Sequence, residues 1–99
     1  MARFDVFEYS GGAGFLVDVQ SDLLSGLNTR MVIPLLPRSK APKPAQRLNP
    51  VVTLGGSELI VATQFMAAIS DGELRTKVGS LASHQDDISA ALDMLFLGF

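Results

Sequence analysis

The chain has 99 residues, of which 47% are apolar and 18% charged. This length suits one domain over residues 1–99, and this composition is not that of a disordered chain. No stretch reaches the roughly 18 consecutive apolar residues of a membrane span, the first residues lack the apolar core of a signal peptide, and cysteine is absent. We therefore expect a cytoplasmic protein without disulfides or membrane contact, and the apolar surplus favours a homodimer.

The net charge of −2 conceals a separation of opposite charges. No acidic residue lies between Asp22 and Glu58, and no Lys or Arg follows Lys77. The cations of that middle stretch are Arg30, Arg38, Lys40, Lys43 and Arg47. A basic segment is typical of a solvated loop, or of a surface for nucleic acid or an acidic peptide. Because no aromatic residues are interleaved with these cations, the solvated loop is favoured over nucleic acid.

The first third of the chain predicts a β-hairpin and then a buried strand. Residues 3–9 are rich in strand formers, and residues 15–20 place Phe15, Val17 and Val19 on one face. The glycine-rich residues 10–14 predict the hairpin loop rather than a phosphate site, because no helix follows them. Residues 21–26, with two adjacent leucines, form a short connection. In the buried strand at residues 31–36, Pro34 indicates an edge position or a bulge.

All five prolines lie between Pro34 and Pro50. Residues 37–50 are therefore expected to form a long irregular excursion, with at most a short helix near residues 45–47. Residues 51–54 and 58–63 predict a tight hairpin around Gly55–Gly56. Residues 64–69 continue a strand or form a short turn, Asp71–Gly72 marks another turn, and residues 74–78 predict a last strand.

The closing segment predicts a helix that begins with Ser83 as its N-cap, with Asp86 three residues on, and ends at Gly98. Apolar residues recur on one face of this helix: Ile88, Ala91, Leu92, Leu95 and Phe96. Five to seven short strands and one helix favour a strongly bent antiparallel sheet, or a half-open barrel, capped by the helix.

The residues carry no strong signal for an enzyme. His84 is the single histidine, and it stands at the predicted helix start. Asp86 and Asp87 diverge by about 100° on a helix, so they are better interpreted as charges at the helix start than as an acid–base pair. The phosphate-binding loop and the zinc-protease motif are absent from the sequence. We therefore expect no catalytic residue, metal or cofactor.

The last seven residues, Asp93-Met94-Leu95-Phe96-Leu97-Gly98-Phe99, are unusual for the end of a chain. Chain ends are commonly polar and frayed, whereas Leu97 and Phe99 are apolar and separated by a glycine. Two interpretations are equally open from the residues alone. Both side chains fold back into the core or a dimer interface, or they form an exposed apolar site for another protein.

The chain resembles the CcdB family, the toxins of a plasmid-type toxin–antitoxin system, over nearly its whole length. The blocks that carry the resemblance are residues 17–24 (VDVQSDLL) and 30–35 (RMVIPL), with weaker agreement over residues 50–52, 81–84, 87–88 and 95–98. The resemblance implies a homodimer of a mainly β fold with a C-terminal α-helix. This is the SH3-like barrel shared with the messenger-RNA-cleaving toxins of the MazF and Kid type, with a five-stranded antiparallel sheet and a small extra sheet.

For function, the resemblance implies a non-enzymatic inhibitor of DNA gyrase, a type II topoisomerase. Such a toxin binds the gyrase A subunit, traps the enzyme on cleaved DNA, and is neutralised by a cognate antitoxin. The family is associated with plasmid maintenance and acts as a repressor of its own operon together with the antitoxin, so contact with DNA is expected only through that complex. The expected gyrase-binding residues are Leu23, Leu24, Asp93, Phe96, Leu97, Gly98 and Phe99.

Three of these positions depart from the family pattern, which has Trp at Leu97, Ile at Phe99 and Asn at Asp93. Phe96 and Gly98 match it outright. Because aromatic anchors dominate protein interfaces, the leucine at position 97 is the departure with the largest expected effect.

The family's antitoxin presents a disordered, acidic-leaning segment. The residues expected to receive it lie in the glycine-rich and basic loops: Gly11, Gly12, Arg38, Lys40, Lys43 and Arg47. Two alternatives stay open. One is a ribonuclease toxin on the same fold, for which Arg30 and the basic loop supply the available cations. The other is a relative that keeps the fold and the antitoxin contact but has lost toxicity.

Overall fold

Seven short strands and one helix make up the part of the chain that the computed structural model describes, residues 2–9 and 14–99. The elements in chain order are β1 (Asp5–Glu8), β2 (Phe15–Asp18), β3 (Thr29–Leu36), β4 (Val51–Leu54), β5 (Ser57–Val61), β6 (Ala67–Ser70), β7 (Lys77–Ser80) and the helix α1 (Gln85–Leu97). Short 3₁₀ turns stand at Asp22–Leu24, Thr63–Phe65, Asp71–Glu73 and Ala82–His84. No helix in these ranges is long and apolar enough to cross a bilayer.

The strand β3 organises the sheet, and all pairings are antiparallel. One edge of β3 pairs with β2, which continues through β1 to β7. The other edge pairs with β6 over residues 29–32 and with β5 at Leu35 and Leu36. The strands β6-β3-β2-β1-β7 therefore form the expected five-stranded sheet, and the β4–β5 hairpin is the small extra sheet joined to it through β3. The mainly β fold with a C-terminal helix is confirmed.

The sheet curls until its two ends meet. The side chain of Leu54, at the end of β4, lies over Gly79 of β7, so that a Cβ at Gly79 would stand 2.9 Å from Leu54 Cδ1. A register shift between Val6 and Phe7 in the β1–β7 pair adds local twist. This curl is the strongly bent sheet that the sequence predicts.

The core lies inside the curl, under α1. As the alternation predicts, Val17 and Val19 of β2 and its extension point into it, and Phe15 packs against it. From α1, Ile88 is fully buried in the same cluster, which contributes about 1.5–3 kcal/mol. A second, smaller cluster uses the opposite face of the sheet and contains Phe7, Leu16, Val32 and Leu74.

The position of Pro34 corrects the expectation of an edge strand or a bulge. β3 is an interior strand, and the carbonyl of Pro34 accepts a hydrogen bond from the Ala62 amide at 3.0 Å. The nitrogen of Pro34 faces the same edge, in the gap between the residues paired with β6 and those paired with β5. The missing N–H is therefore tolerated because no ladder bond is required at that point.

The hairpin predicted around Gly55–Gly56 is confirmed. Both glycines have positive φ, 57° and 83°, as a two-residue hairpin turn of this hand requires. The stretch from residue 37 to residue 50 is irregular as expected, with a turn rather than a helix near residues 46–48. The last strand begins at Lys77, later than predicted, because Leu74 is used to cover the second cluster.

The start of α1 differs from the prediction. Ser83 is not the N-cap; it lies within the 3₁₀ turn Ala82–His84, and the cap residue is His84, which makes no side-chain capping bond. The amides of His84 and Gln85 donate to the carbonyls of Leu81 and Ala82, so the 3₁₀ turn satisfies them without a serine. The predicted end at Gly98 is confirmed.

Candidate protein-interaction site

Exposed leucine and phenylalanine side chains concentrate in two segments that are far apart in sequence. The first, which we name the leucine turn, is residues 21–27, where Leu23 is 94% exposed. The second, the apolar tail, is residues 95–99, where Phe99 is 74% exposed. Isolated apolar side chains on a surface are ordinary, but clusters of them indicate an interaction site.

The leucine turn is held by hydrogen bonds rather than by burial, since every residue from 21 to 29 is exposed. The hydroxyl of Ser21 accepts from the Leu23 amide at 3.2 Å, and the Ser21 carbonyl accepts from the Leu24 amide at 2.9 Å. The carboxylate of Asp22 accepts from the Arg3 amide at 2.9 Å. These bonds form a 3₁₀ turn whose leucines point outward, where the sequence predicts only a short connection.

The apolar tail continues the inward face of α1 beyond the core. Ile88 and Ala91 are fully buried on that face, whereas Phe96 is 66% exposed. The helix ends because Gly98 adopts φ 80°, and its amide donates to the carbonyls of Asp93 and Met94 at 3.2 and 3.1 Å. The space around Gly98 is open, so the positive φ is what favours glycine there.

The exposure of the tail decides part of the question that the sequence leaves open. Leu97 is 60% exposed and Phe99 74%, so neither side chain folds back into the core of its own chain. Within a single chain the tail is a free apolar surface, and a second protein molecule, identical or different, would have to cover it.

The two segments form the walls of one groove of about 500 Å³. Leu24 and Leu27 line it from the leucine turn, and Leu92 and Phe96 line it from α1. Val19, Met31 and Met66 also line the groove, and the flexible thioethers suit an adaptable binding surface. The structure thus brings Leu24 and Phe96 together, although 71 residues lie between them in the sequence.

The other predicted gyrase-binding residues do not line the groove. These residues are exposed, and each lies within three positions of a groove-lining residue in the sequence: Leu23, Asp93, Leu97, Gly98 and Phe99.

The residues predicted to receive an antitoxin lie in a different part of the surface. Gly11 and Gly12 fall outside the described residues. The four cations of the basic loop are exposed and form no ion pair with a carboxylate of residues 2–9 or 14–99: Arg38, Lys40, Lys43 and Arg47. Lys40 lines a smaller groove of about 200 Å³ together with Gly14 and Phe15. Beyond the loop, the Asn49 amide donates to the Val61 carbonyl at 3.0 Å, which ties the chain back to β5.

A buried ion pair is the polar feature that sequence reasoning missed. Arg30 donates from Nε at 2.9 Å and from Nη2 at 2.5 Å to Oδ2 of Asp18, and the two side chains are 2% and 0% exposed. The alternation of β2 contained a signal for it, because Asp18 must face away from Val17 and Val19. Arg30 is therefore not available to RNA in this structure.

The remaining polar residues of the described part of the chain are dispersed rather than clustered. Among residues 2–9 and 14–99, no group of three or more His, Asp or Glu side chains could hold a metal ion. His84 is half-buried in the turn that precedes α1.

Comparison with known proteins agrees with this architecture. The family model described as CcdB protein matches residues 3–98. A similar solved structure is an endoribonuclease in complex with its cognate antitoxin from a mycobacterial species. The TM-score is 0.78 at 14% sequence identity, and the match covers 100% of this chain and 98% of that chain. At so low an identity the match shows a shared fold, and it confirms the mainly β architecture with a C-terminal helix.

Proposed function

The chain belongs to the CcdB family and is therefore a toxin of the toxin–antitoxin class, and from this premise we propose that it poisons DNA gyrase by binding the A subunit. The toxin makes and breaks no bond itself. It occupies a surface of gyrase through apolar contacts and thereby traps the enzyme on cleaved DNA. One observation carries the proposal: Leu24 and Phe96, both expected at the contact from the family resemblance and far apart in the sequence, line the same groove.

The tail differs from the family pattern in a way that predicts an altered partner pocket. Leucine at position 97 lacks the flat ring and the N–H donor of a tryptophan, and Phe99 supplies an aromatic ring two residues later. Both side chains are largely exposed, so both are available to the partner. We propose that this tail fits a gyrase with a differently shaped pocket. Leu97→Trp would then shift inhibition toward gyrases that accept the family's usual tail.

A homodimer would place two tails side by side and double the contact. The apolar surplus of the chain and the exposed surface around Phe96 support this arrangement. Sedimentation analysis of the purified protein tests it, and a monomer at micromolar concentration would contradict it.

The antitoxin is proposed to bind across the basic loop. Arg38, Lys40 and Lys43 are exposed and form no ion pair with a carboxylate of the described residues, so they suit an acidic disordered segment, which they attract over distances comparable to the Debye length. Reversing charge at Lys40 and Lys43 should weaken antitoxin binding and flatten its salt dependence. Arg75→Glu, the same kind of change outside the loop, is the control and should leave antitoxin binding unchanged.

A gyrase-mediated DNA-cleavage assay tests the main proposal. The protein should increase cleaved DNA, and deletion of residues 97–99 should abolish that increase while leaving a folded protein. Phe96→Ala should weaken it strongly. Phe65→Ala removes another exposed ring, 51% exposed and outside the groove, and should leave the increase intact. Growth arrest by the deletion variant as strong as by the full chain would contradict the proposal.

The purified protein and its variants also distinguish gyrase poisoning from the two alternatives, a ribonuclease toxin and a relative without toxicity. A ribonuclease toxin would cleave RNA in the absence of gyrase, whereas we expect no RNA cleavage because Arg30 is buried and paired with Asp18. A relative without toxicity would bind the antitoxin but neither cleave RNA nor increase gyrase-cleaved DNA.

A further inference from the structure

The leucine turn presents its side chains to solvent and yet has a defined backbone conformation. Contacts with neighbouring residues must therefore hold that conformation. The residue that does so is Gln20, which lines the groove beside Leu24 and is 7% exposed. Its Nε2 donates to the Leu24 carbonyl at 3.1 Å, and its Oε1 accepts from the Met31 amide at 3.1 Å. One buried side chain thus ties the end of the 3₁₀ turn to the start of β3.

Gln20 is itself fixed by the buried ion pair. Its backbone amide donates to Oδ1 of Asp18 at 3.0 Å, while Oδ2 of Asp18 receives both donors of Arg30. Each oxygen of Asp18 therefore has a partner, and a satisfied network at low dielectric has one preferred geometry. A chain of hydrogen bonds runs from Arg30 through Asp18 and Gln20 to the Leu24 carbonyl.

We propose that Gln20 is a positioning residue for the gyrase-binding surface, acting through Leu24, with the Asp18–Arg30 pair setting its orientation. This inference rests on the proposed function, because it assigns the support of a surface whose role is proposed above. Gln20 shapes the wall of the groove before the partner arrives. Without the tether, residues 21–27 would have to be ordered during binding, which weakens affinity even though their own side chains are all retained.

The experiment compares the affinity of full-length variants for isolated gyrase A subunit with their melting temperatures. Gln20→Met keeps the length of the side chain and removes both of its hydrogen bonds. We expect binding about tenfold weaker, the scale of the bond to Leu24, which is the one of the two that reaches the leucine turn. Gln20→Glu keeps the acceptor for Met31 and loses the donor to Leu24, so it should also weaken binding. It keeps the test available if the methionine variant does not fold.

A double-mutant cycle with Leu24→Ala separates positioning from general damage. If Gln20 acts through Leu24, the Gln20→Met change should cost much less affinity in the Leu24→Ala background than alone. Asn49→Leu is the matched control, since Asn49 is another buried amide, 5% exposed, that ties backbone segments together elsewhere. It should lower the melting temperature and leave gyrase affinity unchanged.

The outcomes separate this inference from the function on which it rests. Unchanged affinity in Gln20→Met, with Leu24→Ala weakened, overturns the positioning role and leaves the proposed function standing. Equal loss of affinity in Asn49→Leu, or additive effects of Gln20→Met and Leu24→Ala, also overturns it. If Leu24→Ala and Phe96→Ala both bind gyrase like the unaltered protein, the proposed function itself fails.

Discussion

The same substitution at two leucines should have opposite consequences for binding and for folding. Leu23 is 94% exposed, whereas Leu81 is 1% exposed and belongs to the main core. Leu23→Ala removes contacts that the folded chain does not make, so the free energy of unfolding should change by less than about 0.5 kcal/mol. If gyrase covers Leu23, the change removes roughly 1.5–3 kcal/mol of apolar burial, which is about 10- to 150-fold in Kd.

Leu81→Ala should show the reverse. Truncating a buried leucine costs about 2–5 kcal/mol of folding stability through lost burial and the cavity left behind. In a domain of this length each 1 kcal/mol lowers Tm by roughly 4–8 °C, so the melting temperature should fall by at least about 8 °C. At a temperature where Leu81→Ala is still folded, its gyrase affinity should match that of the unaltered chain.

Calorimetric unfolding and gyrase-binding isotherms on the two variants check this pair. A large fall in the melting temperature of Leu23→Ala would show that the leucine turn is packed rather than free. Unchanged gyrase binding by a folded Leu23→Ala would refute its place in the contact.

Three further substitutions test the fold around the site. Arg30→Met leaves Asp18 buried without its partner and should cost about 3–5 kcal/mol in urea unfolding; adding Asp18→Asn should recover part of it, because that change removes the charge and keeps an acceptor for the Gln20 amide. Gly98→Ala forces a side chain into positive φ and should cost roughly 1 kcal/mol, visible as faster amide exchange in the last helical turn, with Gly98→Asn less affected. Gly79→Ala pushes on Leu54 Cδ1 and should lower stability by about 1 kcal/mol, and the loss should vanish in a Leu54→Ala background.

Each of these has a result that contradicts its reasoning. Arg30→Met as stable as the unaltered protein would mean that the ion pair is hydrated. Equal exchange rates for the alanine and asparagine variants at position 98 would remove the argument from backbone conformation. A loss at Gly79 that persists without the Leu54 side chain would place the strain elsewhere.

Most of the secondary-structure elements could be predicted from the sequence. The alternation of Phe15, Val17 and Val19 gives the face of β2, and the Gly55–Gly56 pair gives the hairpin turn. The prediction that Pro34 marks an edge or a bulge was wrong. A missing N–H suggests an edge strand, but Pro34 lies in an interior strand, at a gap between its two partner strands. The prediction that Ser83 is the N-cap was wrong, because a 3₁₀ turn provides hydrogen-bond acceptors for amides at the helix start without a serine side chain.

By itself, the sequence determined the order of strands and helix, the family, and the two segments expected to bind gyrase, since alternation, glycine turns and shared sequence blocks are local properties of the chain. Tertiary structure alone decided that Leu24 and Phe96 line one groove and that Asp18, Arg30 and Gln20 form the support beneath it. These depend on the curl of the sheet and on which side chains it takes out of water. Burial gives a carboxylate, a guanidinium and an amide a fixed arrangement, whereas the alternation of β2 indicates only which face Asp18 takes and not its partners.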